Sequence, residues 1–215
     1  DKAHNRFSQK DIDELIRLMS KASKPIFYTG GGVINSGPKA SELLRELVNT
    51  TGFPITTTLQ GLGSYPGEDS QFLGMLGMHG SFEANNAMHD CDLMINIGAR
   101  FDDRITGKID EFSPKSKKVH IDIDPSSINK NVKVDVAVIG DCYYVLNMML
   151  KELKLNKSNF NDAPIVTEIT LFDIFYNAEE NHKNYYNQNS EQGYCDYTIT
   201  PKIEKIKAIF SDKLK

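Results

Sequence analysis

Cysteine is scarce in this 215-residue chain, and what there is excludes two kinds of site. The three cysteines, Cys91, Cys142 and Cys195, lie far apart and form no CxxC pair, so neither a zinc knuckle nor a disulfide framework is predicted. Unpaired thiols are most simply maintained in a reducing compartment. The five histidines are also scattered, without the spacing of metal ligands. We therefore expect no metal site in this chain.

Long apolar runs and basic blocks are missing as well. No apolar stretch approaches the roughly 20 residues that span a bilayer. The net charge is -4, and lysine and arginine do not cluster. We therefore expect neither a membrane anchor nor a nucleic-acid surface. Residues 1–6 contain neither a starting methionine nor a signal-peptide pattern, which favours a chain cut from a longer protein.

Helical and strand patterns alternate along most of the chain. Ser8 and Asp11 have the spacing of a capping box and predict a first helix. Short strands that are apolar on both sides are predicted at 25–29, 54–58, 72–73, 93–97, 118–123 and 134–139. This alternation predicts an α/β fold: a doubly wound, mostly parallel, six-stranded Rossmann-like sheet with helices on both faces. We assign residues 1–155 to this domain, and residues 156–215 to a linker and the start of a helix at Thr200.

Polar turns follow several of the predicted strands. The most informative is 98–104, Gly-Ala-Arg-Phe-Asp-Asp-Arg, and others begin at Gly30, Thr58 and Asp122. Ligands of open parallel sheets bind beyond the carboxyl ends of the strands, so converging polar turns indicate a cofactor site. Three alternatives stay open: Asp–Arg pairing within 98–104, a tight ligand-free connection at the glycines, and aspartates that only cap the turn at 125–127.

One apparent cofactor motif is rejected. Gly140 and Asp141 look like the start of the Gly-Asp-Gly run that binds thiamine diphosphate and ends in paired asparagines. Here Cys142 replaces the second glycine, and the pair Asn85 and Asn86 lies upstream instead of downstream. We therefore expect no metal–diphosphate site, although a nucleotide contact at the end of this strand remains open.

Five motifs between about residues 24 and 150 resemble the catalytic subunit of acetolactate synthase (acetohydroxyacid synthase). They occur in the family's order and with sensible spacing, at 30–37, 57–63, 76–80, 98–107 and 122–130. The resemblance implies that the chain is the middle of three domains, the one that binds FAD across the edge of the sheet. Residues 156–197 depart from the family, whose linker contains tryptophan.

The resemblance also implies roles for individual residues. Met78, Asp103 and Arg104 would line the substrate channel, with Arg104 holding the carboxylate of a second 2-oxo acid. No catalytic residue is expected, because the activating glutamate and the diphosphate motif belong to the first and third domains of the family. The implied FAD contacts are Gly30, Gly31, Gly32, Thr58, Leu59, Gln60, Leu76, Gly77, Met78, His79, Gly98, Arg100, Asp102, Arg104, Ile105, Asp122, Ile123 and Asp141.

The family's enzymes condense pyruvate with pyruvate or 2-oxobutyrate, with loss of CO2, in branched-chain amino-acid biosynthesis. They use thiamine diphosphate and Mg2+, so this chain alone is expected to be inactive. The resemblance further implies a homo-oligomer, a dimer or tetramer, with a regulatory subunit. The location would be the cytoplasm in a bacterium, or a plastid or mitochondrion in a eukaryote. A nucleotide-free spacer domain and the central domain of a flavin-dependent relative such as pyruvate oxidase remain alternatives.

Overall fold

The computed structural model describes residues 5–155, 184–193 and 195–209. The chain forms two compact units, Asp1–Glu168 and Ile169–Lys215, and each is described by itself. Most of the segment predicted as a linker, including 156–183, lies outside the described residues.

One six-stranded sheet forms the centre of the first unit. Its strands are β1 Pro25–Thr29, β2 Ile55–Thr57, β3 Phe72–Met75, β4 Leu93–Ile97, β5 Lys117–Asp122 and β6 Val136–Ile139. They are arranged in the order β3-β2-β1-β4-β5-β6, and every neighbouring pair is parallel. The predicted doubly wound α/β fold is confirmed, and the predicted strands differ from the observed ones by only a few residues at their ends.

Six helices of this unit precede, connect or follow these strands. They are α1 Gln9–Met19, α2 Gly31–Asn35, α3 Pro38–Thr51, α4 Phe82–Asp90, α5 Asp103–Thr106 and α6 Cys142–Leu155. The capping box at Ser8 and Asp11 is present as predicted. Gly52 ends α3 in a left-handed conformation. The short helix α2 was not predicted, because its glycines indicated only a turn.

The sheet carries an apolar core on each face. Phe27 of β1 and Ile95 of β4 pack in one core with α1, α3 and α6. Their neighbours Tyr28 and Met94 pack in the other core with α4. Successive side chains of a strand point to opposite faces, so a strand covered on both sides must be apolar throughout.

The strand order reverses between β1 and β4. From β1 the chain adds β2 and β3 on one side, and then returns to place β4, β5 and β6 on the other. The segments that leave β1 and β4 therefore diverge at the carboxyl edge of the sheet. A crevice at such a reversal is the usual ligand site of this fold.

The described part of the second unit is helical. It contains α7 Tyr185–Gln188, a π-helical turn at Cys195–Ile199 and α8 Thr200–Ile209. The last helix begins at Thr200, as predicted, and the hydroxyl groups of Tyr186 and Thr200 lie 2.9 Å apart. Helical turns thus lie at 185–188 and 195–199, within the segment assigned to a linker.

Candidate functional site

Three glycines interlock just beyond the carboxyl ends of β1 and β4. The Gly32 N–H donates to the Gly98 carbonyl at 2.9 Å. A Cβ on Gly30 would lie 2.5 Å from the Gly98 oxygen, and one on Gly32 would lie 2.7 Å from the Gly98 Cα. Backbone packing therefore accounts for these glycines without a ligand, as the tight-connection alternative proposed. The same packing brings the turn after β1 directly against the turn after β4.

Buried side chains hold the carbonyl of Ala99, which follows Gly98. The Asn96 amide donates to this carbonyl at 2.7 Å and accepts from the Ala99 N–H at 3.0 Å. The His120 Nε2 also donates to it at 3.0 Å. Both Asn96 and His120 are fully buried. At both positions, the sequence signal is a polar residue inside an otherwise apolar strand, and neither residue is among the predicted site residues.

The next two carbonyls of the loop are held in the same way. The Tyr28 hydroxyl donates to the Arg100 carbonyl at 3.1 Å, and the Asn131 amide donates to the Phe101 carbonyl at 2.7 Å. Three successive carbonyls are thus fixed by side chains from β1, β4, β5 and the segment before β6. The loop that carries the charged residues 100–104 therefore has a rigid base.

The charged side chains of this loop point outward. Arg100 pairs with Asp102 at 3.4 Å, but both side chains are more than half exposed, and a pair of this kind contributes little stability. Within the described residues, the Arg104 guanidinium has neither a hydrogen bond nor an ion pair. The alternative of Asp–Arg pairing within the loop therefore applies to Arg100. The guanidinium of Arg104 can bind an anion.

A second loop, residues 76–80, lies against this region. The Met78 N–H donates to the Arg104 carbonyl at 2.9 Å. Gly77 has a positive φ of 96°, and a Cβ there would lie 2.6 Å from the same carbonyl. The structure thus brings the predicted contacts Gly77 and Met78 together with Arg104 and Ile105. The Met78 side chain is 66% exposed.

The segment after β2 completes the same edge. The Thr58 N–H donates to the Thr29 carbonyl at 2.9 Å, and its hydroxyl accepts from the Gly61 N–H at 3.1 Å. This turn places Gln60 beside α2, where a Cβ on Gly31 would lie 3.3 Å from the Gln60 Cβ. The predicted contacts after β1 and β2 are therefore neighbours.

Aspartates after β5 have local partners. Asp122 is buried, and its carboxylate accepts from the Asp124 N–H at 2.8 Å. Asp124 accepts from both the N–H and the hydroxyl of Ser126, and these hydrogen bonds lower the pKa of its carboxyl group. Asp124 therefore caps the turn at 125–127, as one of the alternatives proposed. Ile123, between them, is 47% exposed.

Asp141 also has structural partners. Its carboxylate accepts from the Ser36 hydroxyl at 3.0 Å and from the Tyr143 N–H at 2.9 Å. It thereby joins the end of α2 to the start of α6. Any nucleotide contact by Asp141 would add to these bonds or replace one of them.

A cavity of about 280 Å³ lies behind residues 76–80 and α5. Leu76 and Ile105 are the only predicted cofactor contacts that line it, together with Asn85, Met88 and Phe112 among others. Most predicted contacts therefore lie on the open carboxyl edge and not in this cavity. Among the described residues, no three His, Cys, Asp or Glu side chains could together hold a metal ion. No helix in the described ranges is both long and apolar enough to cross a membrane.

Exposed apolar side chains accompany the charges at this edge. Ile34 follows β1, Leu59 and Leu62 follow β2, Met78 follows β3 and Ile123 follows β5, and each is at least 43% exposed. Exposed apolar groups that recur along one edge mark a ligand or partner surface. Together with two exposed arginines, they suit a flat, partly apolar ligand that carries anionic groups.

Comparison with known proteins identifies the family. The family model of the thiamine pyrophosphate enzyme central domain matches residues 12–149, well over half of the chain. A second model, peptide methionine sulfoxide reductase, matches residues 140–214, about a third of the chain. This second match includes most of the segment predicted as a linker, whose role stays a prediction.

Several curated proteins are similar to this chain. An acetolactate synthase large subunit of Haemophilus influenzae is 47% identical over 65% of this chain and 24% of its own length. One from Buchnera aphidicola is 45% identical over 69% of this chain and 26% of its own length. A probable chloroplastic acetolactate synthase of Oryza sativa is 46% identical over 66% and 21%. The chain thus spans about a quarter of the length of these relatives. It belongs to the thiamine pyrophosphate enzyme central domain family.

Proposed function

We propose that this chain is the FAD-binding central domain of an acetolactate synthase catalytic subunit. The proposal depends on one observation above all: the loops after four neighbouring strands meet at the carboxyl edge, where the rigid loop 98–104 presents its arginines. The relatives named acetolactate synthase favour this activity over that of pyruvate oxidase.

The residues present fit a flavin dinucleotide. Arg100 and Arg104 offer cations for a diphosphate or another anion, and the exposed apolar side chains offer faces for flat rings. Among the described residues, the Thr57 hydroxyl at the end of β2 is buried without a hydrogen-bond partner, so its hydrogen-bonding capacity is unused. FAD would be held by these groups, and it supplies no net redox step in the proposed condensation.

Within this proposal, Arg100 and Arg104 bind different ligands. Gly98, Arg100 and Asp102 would face FAD, whereas Arg104 and Met78 would reach the substrate channel with Asp103 at its rim. Arg104 would hold the carboxylate of the second 2-oxo acid, since its guanidinium is exposed and its backbone is fixed. The exposed Met78 would contact the substrate's side chain.

The condensation itself would need the rest of a longer protein. Thiamine diphosphate, held with Mg2+ by other domains, would supply the electron sink for loss of CO2 from the first 2-oxo acid. This chain would contribute the binding of FAD and the orientation of the second 2-oxo acid, and would be inactive alone. A homo-oligomer with a regulatory subunit belongs to the same proposal.

Flavin titration tests the proposal directly. We expect the purified chain to quench FAD fluorescence on binding, and to bind riboflavin, which lacks the phosphates, much more weakly. Failure of the longer protein to bind FAD would leave only the spacer alternative. Oxygen consumption with pyruvate by the longer protein, without acetolactate formation, would favour the pyruvate oxidase alternative.

The second family match supports a different identity for the C-terminal unit. We propose that residues 169–215 derive from a peptide methionine sulfoxide reductase and are not a linker to a diphosphate-binding domain. The match over 140–214 covers this whole unit except its last residue. Sequencing the coding DNA on both sides decides between the two: a downstream Gly-Asp-Gly run ending in paired asparagines would restore the linker interpretation.

A further inference from the structure

We propose that Asn85 is a positioning residue that fixes residues 76–80 against α5, and so sets the relative placement of Met78 and Arg104. Its consequence for ligand binding rests on the proposed function, whereas its effect on the loop does not. Asn85 is not among the residues that the resemblance implies. Its only role in the sequence analysis was as half of an asparagine pair in the wrong place for thiamine diphosphate.

Asn85 uses both atoms of its amide on one residue. Its Oδ1 accepts from the Gly77 N–H at 2.8 Å, and its Nδ2 donates to the Gly77 carbonyl at 3.0 Å. The Gly77 carbonyl also accepts from the Gly80 N–H at 2.9 Å, which closes the loop. Asn85 therefore satisfies the backbone of the one loop residue whose positive φ requires glycine.

Gly77 transmits this restraint to α5. A Cβ on Gly77 would lie 2.7 Å from the Ile105 Cδ1, so its backbone has no room to move toward that helix. The adjoining Met78 N–H is bound to the Arg104 carbonyl at 2.9 Å. The position of Gly77 therefore determines how the exposed Met78 lies relative to Arg104.

Helix α4 itself does not depend on Asn85. The Ser81 hydroxyl caps the helix by accepting from the Ala84 N–H at 3.1 Å, and donates to the Leu73 carbonyl at 2.7 Å. Asn85 is a solvent-exposed residue of the same helix. Removing its amide should therefore loosen the loop without unfolding the helix that carries it.

The chain offers a matched control in the next residue. Asn86 is also exposed on α4, and within the described residues its side chain makes no hydrogen bond. Alanine favours a helix interior at both positions, so Asn85→Ala and Asn86→Ala differ mainly in the loop contact. Hydrogen exchange of the chain without added flavin is then followed by mass spectrometry on peptides that cover 76–80 and 103–106.

We expect Asn85→Ala to speed exchange in these peptides about tenfold over Asn86→Ala, which corresponds to about 1.4 kcal/mol. FAD affinity should fall by a similar factor, while the thermal midpoints of the two variants stay alike. Equal exchange in both variants would overturn the inference, as would equal FAD affinity. If the unaltered chain and the longer protein bind no FAD, the proposed function fails, and the exchange result still decides the role of Asn85.

Discussion

Gly98 combines two constraints at a single residue. Its φ is +64°, and a Cβ there would lie 2.8 Å from the Gly32 Cα and 2.9 Å from the Cys142 Sγ. Gly107 also has a positive φ, +53° with ψ at −126°, but nothing within 4 Å of an added Cβ among the described residues. Alanine would therefore meet backbone strain at both positions but steric overlap at Gly98 alone.

We expect Gly98→Ala to destabilise the fold by about 1–3 kcal/mol more than Gly107→Ala, because only Gly98 adds overpacking to strain. Urea denaturation of both variants measures the difference in the free energy of unfolding. Equal losses would show that the interlock with Gly32 relaxes at little cost.

Arg104 is the residue with which the proposed substrate role can be tested. In the longer enzyme, Arg104→Ala should raise the KM for the second 2-oxo acid by roughly 10- to 150-fold, since a hydrogen bond to a charged group contributes on the order of 1.5–3 kcal/mol. Arg17→Ala is the control, because within the described residues the Arg17 guanidinium pairs with Glu14 alone, on the surface of α1. Equal KM values in the two variants would show that Arg104 does not line the substrate channel.

Two buried thiols should not react with alkylating reagents in the folded chain. Burial raises the pKa of Cys91, and burial raises the pKa of Cys142 to about 12. Only the thiolate reacts with iodoacetamide, and a raised pKa leaves almost no thiolate at pH 8. We expect neither cysteine to be alkylated in the folded chain and both to react in urea, as read by peptide mass spectrometry. Labelling of Cys142 without denaturant would contradict its place beneath Gly98.

At the scale of elements, the capping box of α1 allows a simple test. Ser8→Ala should lower the free energy of unfolding by about 1 kcal/mol, because the cap loses the Ser8 hydroxyl, which accepts from the Asp11 N–H at 3.4 Å and donates to the Asp11 carboxylate at 2.8 Å. Ser23→Ala, at an exposed residue whose hydroxyl makes no hydrogen bond within the described ranges, should change it little. Urea unfolding measures both, and a smaller loss for Ser8→Ala than for Ser23→Ala would contradict the cap.

The elements that could be predicted from the sequence are those determined by local patterns. The apolar residues of β1 and β4 and the cap at Ser8 required no knowledge of distant residues. Helix α2 could not be predicted, since Gly31 and Gly32 disfavour a helix in isolation. It forms where its backbone packs on Gly98, more than 60 residues away in sequence.

The same distinction applies to the candidate site. The polar ends of the strands were predicted to meet because parallel strands share one carboxyl edge. Three of the side chains that hold the loop carbonyls were not, because they act on residues distant in sequence: Tyr28 on Arg100, His120 on Ala99 and Asn131 on Phe101. Asn85 was noticed in the sequence only for a motif to which it does not belong.

At the scale of the whole molecule, the choice of cofactor gives the clearest prediction. FAD at about 100 times its dissociation constant should stabilise the chain by about 2.7 kcal/mol, because a ligand that binds only the folded state shifts the unfolding equilibrium. Thiamine diphosphate with Mg2+ should leave the thermal midpoint unchanged, since Gly140 and Asp141 do not continue into its motif. The two melting curves, recorded by circular dichroism, compare the ligands on the same protein. A rise in the thermal midpoint with thiamine diphosphate and Mg2+, but none with FAD, would contradict the proposal that this chain binds FAD.

The glycine interlock has a consequence for selection experiments. Because the backbones of Gly30 and Gly32 contact Gly98 directly, a library randomised at position 98 would return glycine when screened for folding alone, in medium without flavin. Enrichment of glycine at these positions therefore reports chain packing and does not reveal which molecule occupies the crevice. Arg100 and Arg104 are exposed and free of such packing. Enrichment of arginine at these two positions would therefore report selection for ligand binding.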